Sequence, residues 1–504
     1  MAIPSLAMIP SGYKDGKVYS VLPSNGDGDF TFSRGSNATR VNKDGLIETM
    51  PLELGSELIT NGGFDTDSDW NKATGITISG GSANFTGVSG QYLNQNINFV
   101  SGKVYEITFN VLSGSGALTV FLGGGNNVSP SSYVVGENKI IATGGGSDSI
   151  IYLGSAFTGS IDNVSVKEVL SGYDLPRLDY SDSSCPSLLL EPQSTNLVSY
   201  SEDFTNSSWG KLSGGIGSTP ILDFGYASPD GTSKATKVTL DKGNSSDLSD
   251  FSMLKFEVTE FDGVGSIYLK GDSGGEDITL FTRGAESVVV TLTTEWQRYD
   301  ISSTQSTQLS LRLRGSDNTN DVATFYAWGA QLEEGSYATS YIPTQGSAVT
   351  RLADVCNNGG NEQVFNDSEG VLIAEISALD SNVGTERYVY IGDGTNTNRL
   401  VIRYSPTEND IRMLVSSGGS TQVSLGTTNY NVEESHKIAL KYKVNDFALW
   451  IDGVEVLTDT SGSTPIGLSE LTFSITGAEF YGYMKQLQYF DKALTDIELK
   501  ALTT

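Results

Sequence analysis

The fold of this chain is constrained most by apolar side chains that occupy every second position between glycine-rich turns. In Lys103–Val111, one face of an extended segment would carry Tyr105, Ile107, Phe109 and Val111. Side chains of a β-strand point alternately to its two faces, so this pattern predicts a strand with one buried face. A chain of 504 residues is too long for one such domain, and its 58 glycines favour turn-rich loops between strands. The sequence therefore predicts an all-β protein, with three β-sandwich (jelly-roll) domains in series after an extended N-terminal arm.

Residues 1–55 lack this alternation and are predicted to form the arm. Phe30–Glu48 is polar, contains several Asn and Gly residues, and has no helical period. Such a segment does not fold alone, so we expect it to become ordered against another structure. Four apolar residues near the N-terminus also lack a local core, and we expect them to bury against a partner chain or a larger particle: Ile3, Leu6, Met8 and Ile9.

Two stretches resemble segments of bacteriophage virion proteins, especially fibre or appendage proteins of Bacteroidetes-type phages. They are Phe30–Glu48 (FTFSRGSNATRVNKDGLIE) and Pro176–Phe204 (PRLDYSDSSCPSLLLEPQSTNLVSYSEDF), within a resemblance that covers residues 1–50 and 173–352. The stretches adjoin in many such proteins, so the resemblance implies a domain inserted between them. It also implies that the arm docks onto other virion proteins of the capsid or tail. The residues assigned to this virion docking are Phe30, Phe32, Arg34, Arg40 and Lys43.

The resemblance also implies a geometry for the split segment. We expect Phe30–Glu48 and Leu175–Asn196 to pack together as two halves of one base, with the inserted domain as a side branch. Residues 170–195 are predicted to be an extended connector, because their prolines keep the chain extended. Fibre proteins of this kind are commonly homo-oligomers, and by analogy the resemblance implies a trimer.

The inserted domain, residues 56–169, resembles jelly-roll carbohydrate-binding modules that are appended to xylanases and glucanases. The matching residues are Asn61, Gly62, Phe64, Asp65 and Trp70 at its start and Ile161, Asp162 and Val164 at its end. In such modules the two acidic positions often bind a structural Ca²⁺, which takes six to eight oxygen ligands. The resemblance thus implies calcium as a cofactor at Asp65 and Asp162, although both acids equally fit solvated loop residues.

Residues 196–352 are predicted to form a second jelly-roll sandwich, and residues 353–504 a third sandwich. The second domain repeats the opening of the first, since a Trp follows a Leu by the same spacing at Leu58 and Trp70 and again at Leu197 and Trp209. The third domain contains HKIALKYKVNDFALWIDGVEVLTDT at 436–460 and ends with FYGYMKQLQYFDKALTDIELKALTT at 480–504. These two stretches resemble the concanavalin A-like, laminin-G-like family. The final segment also carries a helix capping box at Thr495 and Glu498.

Lectin-type sites combine aromatic platforms with Asn, Asp and backbone donors on loops. In the third domain the glycan-binding candidates are Tyr388, Tyr390, Asp393, Asn396, Asn398 and Arg403. The two tyrosines share one face of a strand and equally fit a core position. In the first domain, Tyr92, Asn94 and Asn96 are expected to line one face of a strand.

Charge and composition argue against several functions. The formal net charge is −29, which repels nucleic acid and anionic lipid. An acidic surface of this kind serves solubility or holds Ca²⁺. The N-terminus lacks the pattern of a signal peptide, and no apolar run reaches the length of a membrane span. The only histidine is His436, and the two cysteines fit no metal spacing, so we expect no enzyme activity.

Two functional hypotheses follow from different classes. The first is a virion structural protein, a tail or head fibre or decoration subunit, that is made in the host cytoplasm and attaches to a host-surface glycan. The alternative is a polysaccharide-binding accessory protein or a glycan-degrading enzyme. A third reading is a purely architectural role without a ligand.

Overall fold

The computed structural model describes residues 2–129, 133, 135–181, 183–282, 287–381, 384–475 and 477–504. Antiparallel strands make up almost all of its regular structure, and the predicted all-β class of β-sandwich domains is confirmed. The N-terminal strands are β1 (Leu6–Met8), β2 (Tyr13–Lys14), β3 (Lys17–Val18), β4 (Phe30–Ser33), β5 (Thr39–Val41) and β6 (Ile47–Thr49).

The first domain packs two sheets around one core. Its strands are β7 (Glu53–Glu57), β8 (Asn71–Lys72), β9 (Ile76–Ile78), β10 (Ala83–Thr86), β11 (Tyr92–Asn96), β12 (Val104–Ser115), β13 (Thr119–Leu122), β14 (Gly136–Thr143), β15 (Ile150–Gly154) and β16 (Thr158–Ser171). One sheet has the order β14-β12-β16-β10-β9, with β7 also on β16, and the other has the order β13-β15-β11-β8. The alternating face predicted in Lys103–Val111 is confirmed, since Tyr105 and Ile107 are 1% and 0% exposed in this core.

The second domain is one large sheet that folds over its own core. The connector contributes β17 (Arg177–Asp179), β18 (Ser187–Leu190) and β19 (Ser194–Asn196). The domain adds β20 (Trp209–Gly214), β21 (Ser218–Tyr226), β22 (Ala235–Asp241), β23 (Phe251–Gly271), β24 (Asp277–Phe281), β25 (Ser287–Thr291), β26 (Gln297–Arg314), a 3-10 helix (Gly315–Asp317), β27 (Val322–Glu334) and β28 (Val349–Arg351). The order is β21-β22-β27-β23-β26-β24-β25, with β20 also on β23. Register shifts between Glu257 and Gly263 mark bulges in β23, which bend the strand so that both ends of the sheet share one core.

The third domain packs an eight-stranded sheet against a five-stranded sheet. Its elements are β29 (Val355–Asn357), β30 (Glu369–Ala378), β31 (Arg387–Gly392), β32 (Arg399–Tyr404), β33 (Ile411–Ser417), β34 (Ser420–Thr427), β35 (His436–Lys443), β36 (Phe447–Ile451), β37 (Val454–Asp459), β38 (Glu470–Thr472), β39 (Gly482–Phe490) and the helix α1 (Asp496–Thr503). The orders are β17-β18-β39-β30-β35-β36-β37, with β1 on β39, and β34-β33-β32-β31-β38. The predicted capping box at Thr495 and Glu498 is confirmed at the start of α1. No helix among the described residues is long and apolar enough to span a membrane.

The N-terminal segment is not a free arm, because its first strands belong to the third domain and Ile47 packs against the second domain. Strand β1 pairs with β39, and β4 pairs with β29. Leu6 and Met8 are fully buried in the core of the third domain, which corrects the expectation that they bury against another chain. Ile3 and Ile9 remain 78% and 50% exposed.

The virion-docking assignment needs the same correction. Phe30 and Phe32 are 0% and 1% exposed inside the third-domain core, and Arg34 is 4% exposed. Burial inside their own chain takes these three side chains away from any partner. Arg40 is half-buried and donates to Glu48 and to the Leu178 carbonyl, whereas Lys43 lies exposed at the tip of the β5–β6 hairpin.

The predicted connector is also built into the sheets. Strand β18 pairs with β39, so residues 187–190 belong to the third-domain sandwich. The connector lies against the N-terminal segment, because the Val41 amide donates to Asp179 at 2.8 Å and the Tyr180 amide donates to the Val41 carbonyl at 3.0 Å. The first domain begins and ends side by side, since Glu53 on β7 pairs with Ser171 on β16.

Buried ion pairs join the N-terminal segment, the connector and the last two domains. Arg177 donates to Glu191 at 2.5 Å and also to Asp354. Arg351 donates to Glu191 at 2.7 Å, and Arg34 donates to Asp354 at 3.2 Å. Burial opposes ionisation of Glu191, but Arg351 and Arg177 together lower the pKa of its carboxyl to about 2. We call these five residues the charge hub.

Candidate functional site

The strongest candidate for a binding surface is the outer side of the four-stranded sheet in the first domain. Alternation turns Leu93, Val120 and Leu153 into the core. The residues between them face away from the core, and the strand register places one from each strand in a single row: Phe121, Tyr152, Asn94 and Asn71. Tyr92 lies beside this row on β11. We call these five residues the aromatic face.

The three rings of the aromatic face contact one another edge to face. The ring centroids of Tyr92 and Phe121 are 5.7 Å apart, those of Tyr92 and Tyr152 are 6.1 Å apart, and those of Phe121 and Tyr152 are 6.5 Å apart. Such packing fixes the ring positions. All three side chains are only half-buried, so an apolar platform remains open to solvent. Gly154 lies directly opposite Tyr92 on β15, where a Cβ would lie 2.7 Å from the Gln91 carbonyl oxygen.

Polar groups border the platform. Asn71 donates from Nδ2 to Asn94 Oδ1 at 3.2 Å, and the Asn94 Nδ2 group has no partner among the described residues. The Tyr152 hydroxyl donates to Asp148 at 2.8 Å, and this hydrogen bond together with burial raises the pKa of Tyr152. The second oxygen of Asp148 accepts the Gly124 amide at 2.8 Å, which holds the carboxylate in place. The arrangement offers flat apolar rings beside amide donors and acceptors, which suits a sugar with an apolar ring face and hydroxyl groups.

Sequence reasoning found one strand of this surface and missed the others. It placed Tyr92, Asn94 and Asn96 on one face, and the structure places them on the outer side of β11. Phe121 and Tyr152 join them only through the pairing of β13, β15 and β11. Their alternation with buried residues was the available signal, but it does not show which strands pair.

The candidate tyrosines of the third domain lie on the outer side of the five-stranded sheet. Tyr388 and Tyr390 are 6% and 2% exposed and pack with Val401, Leu414 and Ala478 in a small apolar cluster. Burial raises the pKa of Tyr390 to about 12, so its hydroxyl remains a donor, here to the Thr395 carbonyl at 2.5 Å. The two rings are therefore mostly covered and do not form an open platform.

The polar candidates of the third domain build the turn between β31 and β32. Asp393 accepts the Thr395 amide at 2.9 Å and the Asn398 side chain at 2.9 Å. Asn396 accepts from Arg399 at 2.6 Å. These side chains hydrogen-bond within the turn and thereby stabilise it. Arg403 lies apart from them on β32, where it pairs with Glu386 at 2.9 Å.

The calcium prediction concerns Asp65 and Asp162. Asp162 accepts the Asn163 amide at 2.6 Å. A Cβ added to Gly63 would lie 3.9 Å from Asp65 Oδ2 and 3.8 Å from Asn163 Oδ1, so these two oxygens approach the same glycine. Within the described ranges no group of three or more His, Cys, Asp or Glu could hold a metal ion. Two carboxylates alone fall short of the six to eight oxygens of a Ca²⁺ site, so backbone and amide oxygens would have to complete it. Calcium binding stays a prediction of the resemblance.

Both ring nitrogens of His436 contact neighbouring parts of the third domain. Its Nδ1 lies 2.6 Å from Asp452 Oδ2 and its Nε2 lies 2.9 Å from the Asn431 carbonyl oxygen. The other oxygen of Asp452 accepts the Lys437 amide at 3.0 Å. These contacts attach the start of β35 to the β36–β37 turn.

No protein-family model and no curated protein sequence matches this chain. Solved structures align with parts of it. CBM40 of the Ruminococcus gnavus IT-sialidase, bound to alpha2,3 sialyllactose, has 17% identity and a TM-score of 0.25, and the match covers 28% of this chain and 86% of that one. Domain 4 of AbnA, a GH43 extracellular arabinanase from Geobacillus stearothermophilus, was solved in complex with arabinotriose. It has 13% identity and a TM-score of 0.25, and the match covers 34% of this chain and 83% of that one. The CBM22-1-CBM22-2 tandem of Paenibacillus barcinonensis Xyn10C has 14% identity and a TM-score of 0.20, and the match covers 56% of this chain and 99% of that one. At these TM-scores the similarities carry no argument about what this chain binds.

Proposed function

We propose that this chain is a structural protein of a phage virion, a tail or head fibre or decoration subunit, that attaches to a host-surface glycan. The observation that carries the binding role is the aromatic face. Three half-buried aromatic rings project from one sheet on the side away from its core. Aromatic pairs across strands also stabilise a sheet, but an apolar cluster that stays open to solvent marks a candidate binding site.

The chain architecture supports presentation of this face. The first domain is joined to the rest of the chain through two neighbouring strands, β7 and β16, while the charge hub fastens the second and third domains together. A sandwich attached to its base through two neighbouring strands suits a protein that displays a binding surface. The side chains left for docking to the virion are Lys43 and the exposed Ile3 and Ile9.

A glycan-binding measurement with the purified full chain tests the binding role. We expect Phe121→Ala to weaken binding about tenfold, since loss of one aromatic contact costs about 1.4 kcal/mol. Phe224→Ala is the matched control, because Phe224 is 46% exposed in the second domain, outside the aromatic face. Equal binding by the unmodified chain and both variants would contradict the binding role of the aromatic face. Failure of the unmodified chain to bind any glycan would contradict it as well.

Binding without cleavage separates this proposal from its alternative. We expect incubation with a bound polysaccharide to release no reducing ends. Release that a single carboxylate substitution abolishes would favour a glycan-degrading enzyme. For the virion, antibody labelling of purified particles should place the chain on a tail or head appendage, and unlabelled particles would contradict that location.

A further inference from the structure

The outer side of the five-stranded sheet in the third domain carries two arginines directly opposite each other. Arg403 on β32 pairs in register with Arg412 on β33. Like charges at directly opposed positions repel, and a sheet gains nothing by placing them together. The chain has only 31 Lys and Arg residues against 60 Asp and Glu, so the pairing calls for a separate reason.

Neighbouring carboxylates orient both guanidinium groups and use only part of their hydrogen-bonding capacity. Asp410, which is 2% exposed, accepts from Arg412 Nε at 2.7 Å. This contact leaves both terminal nitrogens of Arg412 without a partner among the described residues, on a side chain that is 37% exposed. Glu386 accepts from Arg403 Nη1 at 2.9 Å, and the other terminal nitrogen of Arg403 has no partner in the described part of the chain.

The next strand makes room for Arg412. Gly426 on β34 lies opposite Arg412, and a Cβ at this glycine would lie 2.5 Å from Arg412 Cγ and 3.0 Å from its Nε. A side chain at position 426 would therefore displace Arg412. Beside the arginines, Leu414 and Val401 form an apolar row on the same face.

We infer that Arg403 and Arg412 bind a carboxylate carried by a saccharide. A guanidinium presents its donors in a planar fork, which matches the two oxygens of a carboxylate. This inference rests on the proposed function only in taking the ligand to be a saccharide, and it assigns an acidic sugar to the third domain while the aromatic face holds a neutral one.

The test measures binding of the full chain to a uronic-acid oligosaccharide, to a neutral oligosaccharide of equal length and to a sulfated one. We expect the uronic-acid oligosaccharide to bind best, and Arg412→Ala to weaken its binding about tenfold or more. Gly426→Ala should weaken it as well, although the net charge does not change. Arg314→Ala is the matched control, since Arg314 contacts the Leu248 carbonyl in the second domain.

The outcomes separate this site from the aromatic face. Phe121→Ala should leave binding of the uronic-acid oligosaccharide unchanged, and Arg412→Ala should leave binding of neutral glycan unchanged. Equal binding of the acidic and neutral oligosaccharides, preference for the sulfated one, or full binding by Arg412→Ala and Gly426→Ala variants with unaltered melting temperatures would overturn the inference.

Discussion

Arg177 and Glu191 form a buried ion pair of 2.5 Å, and their side chains are 0% and 3% exposed. Arg351 shares the same carboxylate, so one negative charge lies between two positive ones. Arg177 and Glu191 both belong to the connector, whereas Arg351 ends β28 after the second domain. The contact between Arg351 and Glu191 therefore couples the connector to the exit of the second domain.

The charge hub predicts a large effect of Glu191→Gln on stability. Removing this charge leaves Arg351 without its charged partner and leaves Arg177 with Asp354 alone, so we expect a loss of about 3–5 kcal/mol in the free energy of unfolding. Urea unfolding followed by tryptophan fluorescence measures it. Glu257→Gln is the control, because Glu257 is 62% exposed in its pair with Lys255 and should cost less than about 1 kcal/mol. Similar small losses for both variants would contradict a stabilising role of the hub.

The same carboxylate predicts a dependence on pH. The pKa of Glu191 is lowered from 4.5 to about 2 in the folded chain. A lowered pKa means that its stabilisation is present above pH 4.5 and is lost as the pH falls towards 2. The difference in unfolding free energy between the unmodified chain and Glu191→Gln should narrow across this window. A difference that stays constant with pH would rule out this titration.

The burial of Phe32 predicts that the N-terminal segment stabilises the third domain. Its side chain is 1% exposed in the third-domain core, so Phe32→Ala should cost about 3–5 kcal/mol through lost burial and a cavity. Thermal or urea unfolding measures this loss. Ile9→Ala should change stability by less than about 0.5 kcal/mol, because Ile9 is 50% exposed. A Phe32→Ala variant with normal stability that failed to enter particles would restore the docking assignment.

Calcium binding in the first domain would make its melting temperature sensitive to a chelator. If Asp65 and Asp162 bind Ca²⁺, a chelator should lower the melting temperature of the first domain, and Asp162→Ala should abolish the response. Bound ion adds about 2.7 kcal/mol at a hundredfold excess over Kd. Asp148→Ala serves as the control, since Asp148 hydrogen-bonds Tyr152 on the other sheet. A melt that the chelator does not change would remove the site.

The strands and the capping box could be predicted because their signals are local. Alternation in Lys103–Val111 and the spacing of Thr495 and Glu498 depend on neighbours within one element. The placement of the N-terminal segment could not be predicted, because β1 pairs with β39 at the opposite end of the chain. Period-two patterns specify which face is buried but not the partner strand.

The candidate site shows the same limit. Tyr92 and Asn94 lie on one strand and could be grouped from alternation alone. Phe121 and Tyr152 come from strands whose register only the fold supplies. In the third domain, the signal of Tyr388 and Tyr390 fits a covered apolar cluster as well as a platform, and the structure shows the cluster.

The adjacent ends of the first domain have a consequence for how such a chain diversifies. A Cβ added to Gly172 would lie 2.5 Å from the Pro51 carbonyl oxygen, so the chain leaves and re-enters the base at almost one point. Excision of residues 53–171 therefore leaves almost no gap to bridge, and neither the charge hub nor the third-domain core loses a residue. We therefore expect that a different sandwich with adjacent termini could replace the domain without any change to the base.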